Sequence, residues 1–228
     1  MKSDNMRNYI RRNNLTREDF LVYAVTDRHW LQEGETLYDV VEKALRGGAT
    51  FIQLREKNLD SEHFMEEAKQ LQVLCREYDV PFVINDNVQI ALTMNADGVH
   101  VGQSDMEAGN VRELLGPEKI IGVSAGNVEE ALRAEKHGAD YLGVGAVFPT
   151  DSKDDAKPVT METLKAITDA VSIPVVAIGG ITEENTLTLA GSGIDGVAVI
   201  SAIFGQKDIE TAARRLHSVT QHVVSESR

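Results

Sequence analysis

Short apolar runs alternate along the chain with longer amphipathic ones. The apolar runs are FLVYAVT, TFIQLR, PFVIN, DGVHVG, IIGVS, YLGVGAVF, IPVVAIGG and GVAVIS, rich in β-branched residues and several bounded by Gly or Pro. Between them lie TLYDVVEKALRGG, SEHFMEEAKQLQVLCREY, NVQIALTMN, DMEAGNVRELLG, NVEEALRAEKHG, METLKAITDAV, TEENTLTLAGSG and DIETAARRLHSVT. Several of these open on Thr, Ser, Asn or Asp as N-caps, and several close on Gly as C-caps. The strands are apolar on both faces, the pattern of parallel strands covered by helices. About eight strand–helix units result, and a single closed (β/α)8 TIM barrel accounts for that count. An open doubly wound sheet is the alternative, because the pattern alone does not require closure. Residues 1–19 form a polar N-terminal segment, expected to be helical or partly ordered, and 20–228 the barrel.

Composition narrows the chemistry. The 228 residues carry a net charge of -13, which argues against nucleic acid and anionic membranes as partners. A local basic pocket for a small anion remains compatible with that charge. Cys75 is the single cysteine, so neither an intrachain disulfide nor a cysteine zinc site can form. Its helical surroundings make it a small core residue. The opening MKSDNMRNYIRRNN is too polar for a signal peptide, and no apolar run is long enough to cross a bilayer. A cytoplasmic location is expected, and an oligomer is left open.

In a barrel of this kind the active site lies at the C-terminal ends of the strands, so strand endings become a candidate list. The second strand ends in Gln53, Arg55 and Lys57, which alternate and share one face. The third ends in Asn85 and Asp86, the fourth leads to Asp105, and the fifth ends in Ser124. The sixth runs into PTDSKDD with Thr150, Ser152 and Lys153, the seventh into Gly179-Gly180, and the eighth into Ile200-Ser201.

Each motif has a plainer reading. Arg55 and Lys57 could be a solvated strand end paired with Glu56 or Asp60. Gln53, deeper on the same face, tilts the balance toward a ligand because a buried amide needs a partner. Asp86 and Asp105 could each cap a helix, and for Asp105 alone a cap is favoured. As a pair on neighbouring strands, roughly 5 Å apart, they can converge on a hard cation. The Gly-Gly turn before TEEN offers bare N–H groups to a phosphate or is only a turn. Gly143 and Gly145 either allow close helix packing or admit a flat ligand. Of the histidines, His100 lies inside a strand and reads as a satisfied buried residue; the others fall in loops or on helix faces. No cysteine nucleophile, Ser-His-Asp set or strand-end general base is expected.

In this order, QLREK, IND, HVGQSD, IGVS, the PTDSK loop, IGGI and VIS resemble the thiamine phosphate synthase family, from about Leu21 through the last helix. The resemblance implies condensation of a hydroxymethylpyrimidine diphosphate with a thiazole phosphate, releasing pyrophosphate by a dissociative, Mg²⁺-assisted substitution. It implies that Gln53, Leu54, Arg55, Glu56, Lys57, Asn85, Ser124 and Lys153 hold the pyrimidine diphosphate, with Lys57, Ser124 and Lys153 catalytic. It assigns Thr150, Asp151, Ser152, Gly180, Ile200 and Ser201 to the thiazole phosphate, and Asp86 and Asp105 to one Mg²⁺. Departures from the family pattern fall at Gly126, Asn127, Ser152 and Thr160. Two rival readings are a thiazole tautomerase-like relative, which needs no diphosphate or metal, and a non-catalytic barrel that binds a phosphorylated ligand.

Overall fold

The computed structural model describes residues 14–103, 111–150 and 158–226. Eight parallel strands close into one barrel, each paired with its neighbour in sequence and the last with the first. They are β1 (Val22–Val25), β2 (Phe51–Leu54), β3 (Phe82–Asn85), β4 (Gly98–Val101), β5 (Ile120–Ala125), β6 (Tyr141–Val144), β7 (Val175–Ile178) and β8 (Gly196–Val199). Closure is therefore settled, and the open sheet is excluded.

The helices outside the barrel are α1 (Leu37–Arg46), α2 (Ser61–Glu77), α3 (Val88–Thr93), α4 (Val111–Leu115), α5 (Val128–Lys136), α6 (Met161–Ala170), α7 (Glu183–Thr186), α8 (Ser201–Phe204) and α9 (Ile209–Glu226). Their starts follow the expected cap chemistry. Thr36, Asp60, Asn87, Asn127, Thr160 and Thr182 each accept a backbone N–H from the first turn. Asn127 and Thr160, two of the departures from the family pattern, thus serve as ordinary caps. The C-terminal α9 packs on α1, where His217 Nδ1 donates to the Gly48 carbonyl at 2.8 Å.

Strand alternation divides the core in two. Outward-facing residues such as Ile52, Leu54, Val99 and Val123 pack under the helices. Inward-facing residues fill the barrel: Tyr23, Val25, Phe51, Val83, Ile120, Tyr141, Val176 and Ala198. Phe20, at the end of a 3-10 turn (Arg17–Phe20), joins this inner set from below and stacks on Phe51 at 5.2 Å. Removing a buried aromatic of this kind costs about 3–5 kcal/mol.

The N-terminal end of the barrel is closed by a fourfold device. Just before β2, β4, β6 and β8 stand Gly48-Ala49-Thr50, Asn95-Ala96-Asp97, Gly138-Ala139-Asp140 and Gly193-Ile194-Asp195. The first residue of each triplet has positive φ and the second is buried. The third turns its side chain onto the start of the preceding strand. Thr50 Oγ1 accepts the Val22 N–H at 2.9 Å and Asp97 that of Phe82 at 3.0 Å. Asp140 accepts from Ile121 at 2.8 Å and Asp195 from Val175 at 2.9 Å. Strand N–H groups with no ladder partner are thereby satisfied at the barrel's lower rim.

Candidate active site

Inside the barrel the lining changes from aromatic to polar toward the C-terminal ends of the strands. Tyr23, Phe51 and Tyr141 meet with ring centroids 4.4 to 5.7 Å apart. Gly122, one strand over, makes room for the Tyr141 phenol, because a Cβ there would collide with it. Above the rings runs a chain of hydrogen bonds. Gln53 Nε2 donates to Tyr23 Oη at 2.6 Å, and Tyr23 Oη meets Tyr141 Oη at 2.6 Å. Tyr141 Oη lies 3.0 Å from His100 Nδ1, and His100 Nε2 3.0 Å from Ser124 Oγ. Burial drives the pKa of both phenols well above the ordinary tyrosine value, so both keep their protons.

At the rim above β2, Arg55 donates to Asp27 at 2.9 Å, and its backbone N–H is taken by the buried Thr26 hydroxyl at 3.0 Å. This pairing differs from the Glu56 or Asp60 partners considered from sequence. Glu56 is instead engaged by Arg28 at 3.0 Å, which also holds Glu67 at 2.7 Å. Burial, with the Glu67 carboxylate close by, raises the Glu56 pKa against the opposing pull of Arg28. Asp60 caps α2 and contacts His63. Lys57 is exposed and makes no ion pair among the described residues. Leu54 faces the outer layer, fully buried under the helices, so its side chain does not reach the mouth; only its backbone can.

At the end of β3, Asn85 Nδ2 donates to Asp86 Oδ2 at 2.7 Å. Asp86 has φ +58, a left-handed conformation uncommon outside glycine, and its N–H is held by the His100 carbonyl at 2.8 Å. Such a residue is found where the surroundings over-determine it, often at functional positions. The N-cap of α3 is Asn87, so capping does not account for Asp86. Gln103 ties the end of β4 to β5: its Nε2 donates to the Ser124 carbonyl and its Oε1 accepts from Arg133, both at 2.6 Å.

On the far side of the mouth stand Thr150, Gly180, Ile200 and Ser201, after β6, β7 and β8. Gly179 and Gly180 have φ +100 and +63. Side chains on either would collide with the segment after β6, at Ala146 for Gly179 and at Phe148 and Pro149 for Gly180. The glycine pair is thus a seat for that segment as well as a turn. Gly143 and Gly145 lie against other strands of the barrel and not against a helix. A Cβ at Gly143 would press on the His100 ring, and one at Gly145 would strike the Ile178 carbonyl of β7. Asp105, Asp151, Ser152 and Lys153 lie outside the described residues.

The structure adds groups that the strand-end reading passed over. Asp27 follows Tyr23 and Val25 in alternation, a signal present in VYAVTD. His100 is the satisfied buried histidine expected, with both ring nitrogens bonded. Unexpected is its partner: the buried imidazole touches Ser124. Among the described residues no cluster of three or more His, Cys, Asp or Glu side chains is placed to hold a metal. No described helix is long and apolar enough to cross a membrane.

A closed parallel barrel with cationic groups after β2, a constrained carboxylate after β3 and a polar floor defines an enzyme-type site for a small anionic ligand. The family model described as thiamine monophosphate synthase matches residues 22–203. The thiamine-phosphate synthase of Clostridium tetani is 52% identical over 198 residues, 87% of this chain and 94% of that protein. That of Methanobrevibacter smithii is 47% identical over 198 residues, again 87% and 94%. The structure of thiamine phosphate pyrophosphorylase from Pyrococcus furiosus superposes with TM-score 0.83 at 44% identity, covering 91% of this chain and 98% of that one. The chain belongs to the thiamine monophosphate synthase family.

Proposed function

We propose that the barrel mouth joins 4-amino-2-methyl-5-hydroxymethylpyrimidine diphosphate to 4-methyl-5-hydroxyethylthiazole phosphate, forming thiamine phosphate and pyrophosphate. The observation that carries this reading is the adjacency of Arg55 and Lys57, after β2, to Asn85 and the left-handed Asp86, after the neighbouring β3. Fixed positive charge beside a rigid oxygen donor suits a diphosphate and a hard divalent cation.

The diphosphate is held by Arg55, Lys57 and Lys153, with Asn85 alongside. Asp86, whose exposed carboxylate is the oxygen donor such a cation prefers, would hold Mg²⁺ with Asp105. Bound there, Mg²⁺ would neutralise charge on the departing pyrophosphate. The chain's own cations stabilise the same developing charge in a preorganised setting. Departure leaves an exocyclic carbocation delocalised into the aminopyrimidine. The thiazole nitrogen attacks with its lone pair and carries no proton, so the bond forms without a general base. Gln53 and Ser124 orient the pyrimidine, while Thr150, Ser152, Gly180, Ile200 and Ser201 hold the thiazole phosphate. The location proposed is the cytoplasm.

Among the described residues, the His100–Ser124 contact favours the tautomerase-like rival, since it could move a proton. A pyrophosphate-release assay with both substrates, in Mg²⁺ and in chelator, separates the readings. Release that needs both substrates and Mg²⁺ is expected. Thiazole isomerisation without pyrophosphate release, or ligand binding without turnover, would overturn the assignment.

A further inference from the structure

The Tyr23–Tyr141 pair crosses the barrel between residues 118 apart in sequence and joins two groups that face the same mouth. Tyr23 is 1% exposed, Tyr141 0% and Gln53 4%. In so dry a setting every O–H must find an acceptor. Each phenol has one proton to give and two lone pairs to receive.

With the Gln53 amide nitrogen facing Tyr23, those inventories set one direction of bonding. Gln53 spends an amide N–H on Tyr23, so the Tyr23 oxygen is already an acceptor there. Its own proton has Tyr141 as partner. Tyr141 must then send its proton to His100 Nδ1. A neutral imidazole accepting at Nδ1 carries its proton on Nε2, which donates to Ser124 Oγ. Ser124 is left with its hydroxyl proton to offer elsewhere. Among the described residues the buried side-chain polar atom lacking a partner is Thr220 Oγ1, so Gln53 Oε1 keeps contact with the open mouth. The mouth therefore receives a carbonyl acceptor from β2 and a hydroxyl donor from β5.

We propose that Tyr23 and Tyr141 are positioning residues whose linked hydroxyls fix Gln53 as an acceptor and Ser124 as a donor toward a ring edge bearing an amino group beside a ring nitrogen. Such an edge belongs to the aminopyrimidine, so the ligand half of this inference rests on the function proposed above. The bond direction does not. If the chain ran the other way, Gln53 would offer N–H groups and Ser124 would give its proton to His100, a pattern that repels an amino group and readies a base.

The direction is read in the ligand-free protein by NMR of ¹⁵N-histidine-labelled material, at a pH well above the ordinary histidine range. His100 is assigned by the signals lost in a His100→Gln variant. The wild-type protein is expected to show the neutral tautomer protonated at Nε2, and Tyr141→Phe to lose that preference. A wild-type His100 protonated at Nδ1, or a tautomer unmoved by Tyr141→Phe, overturns the proposal. Should Tyr141→Phe fail to fold, the wild-type spectrum still decides. For the kinetic arm, Tyr23→Phe and Tyr141→Phe are expected to lower kcat/KM for the pyrimidine diphosphate about three- to tenfold. The KM for the thiazole phosphate should stay at the parent value. Equal loss for both substrates marks a general packing role and overturns the proposal. If the tautomer is as expected but no pyrimidine diphosphate is turned over, the functional reading fails while the directed chain stands.

Discussion

At the N-terminal end of the barrel, Asp97, Asp140 and Asp195 are each spent on a strand N–H. Asp140 and Asp195 also pair with arginines, Arg112 at 2.6 Å and Arg17 at 2.5 Å. At the C-terminal end, Asp86 instead sits in a left-handed conformation, Lys57 stands exposed, and a polar chain ends on Ser124 at the mouth. The same residue types thus appear at both ends of one sheet. Where a charged group completes the backbone's hydrogen bonding, its removal should be felt in stability. Where it faces a ligand, removal should be felt in turnover.

The largest effect is expected at the upper rim. A bound diphosphate carries roughly -3; Mg²⁺ with Arg55, Lys57 and Lys153 supplies about +5, and Asp86 and Asp105 return about -2. With the Asp27 carboxylate that already pairs with Arg55 counted, the sum is about -1, so loss of one cation leaves still more negative charge as pyrophosphate departs. A charge-assisted hydrogen bond of about 1.5–3 kcal/mol corresponds to roughly a ten- to hundredfold rate effect. Lys57→Ala should cut single-turnover rates by that order at saturating substrate, with its melting temperature unchanged because Lys57 is exposed. Lys57→Arg should restore only part, since the two heads differ in shape. A parent-like rate in Lys57→Ala would make Lys57 a docking residue and remove the electrostatic account.

The lower rim should answer in the opposite currency. Asp140 accepts the Ile121 N–H and binds Arg112, whose guanidinium also reaches the Gly138 and Lys119 carbonyls. Asp140→Ala strands a buried donor and a cation, a cost of about 1–3 kcal/mol. Chemical denaturation should show that loss, while kcat per folded molecule stays at the parent value. A fall in kcat with stability intact would break the division between the two ends.

How far these ends were legible in the sequence differs for a physical reason. The strand–helix alternation and the caps are local, and the barrel, with its helix starts, followed from them. Gln53, Asn85 and Ser124 were placed toward the C-terminal ends of their strands because strand parity is local too. The lower device was also written locally, in the triplets ending at Thr50, Asp97, Asp140 and Asp195, but its glycines read simply as helix C-caps. The Tyr23–Tyr141 contact was not readable, because only closure sets β1 across from β6. His100 was placed correctly in its strand, yet its meeting with Ser124 depends on the register of β4 against β5. Leu54 was carried into the site by its place in QLREK, although parity turns its side chain outward.

The smallest effect is expected at the fourth member of the lower device, where a threonine stands in place of aspartate. Thr50 Oγ1 accepts the Val22 N–H at 2.9 Å and donates to the Val22 carbonyl at 3.2 Å, a closed exchange between neutral groups. The Thr50 N–H separately bonds the same carbonyl at 2.8 Å, so that acceptor stays satisfied without the side chain. Thr50→Ala therefore leaves one N–H to be satisfied and no charge, costing about 0.5–1.5 kcal/mol. That should lie below the cost of Asp140→Ala, and turnover should not move, because Thr50 lies a full strand from Arg55. Paired denaturation of the two variants checks the order. A Thr50→Ala loss equal to that of Asp140→Ala would mean that the carboxylate's charge and its arginine add nothing at the lower rim, and that the backbone bond alone carries the device.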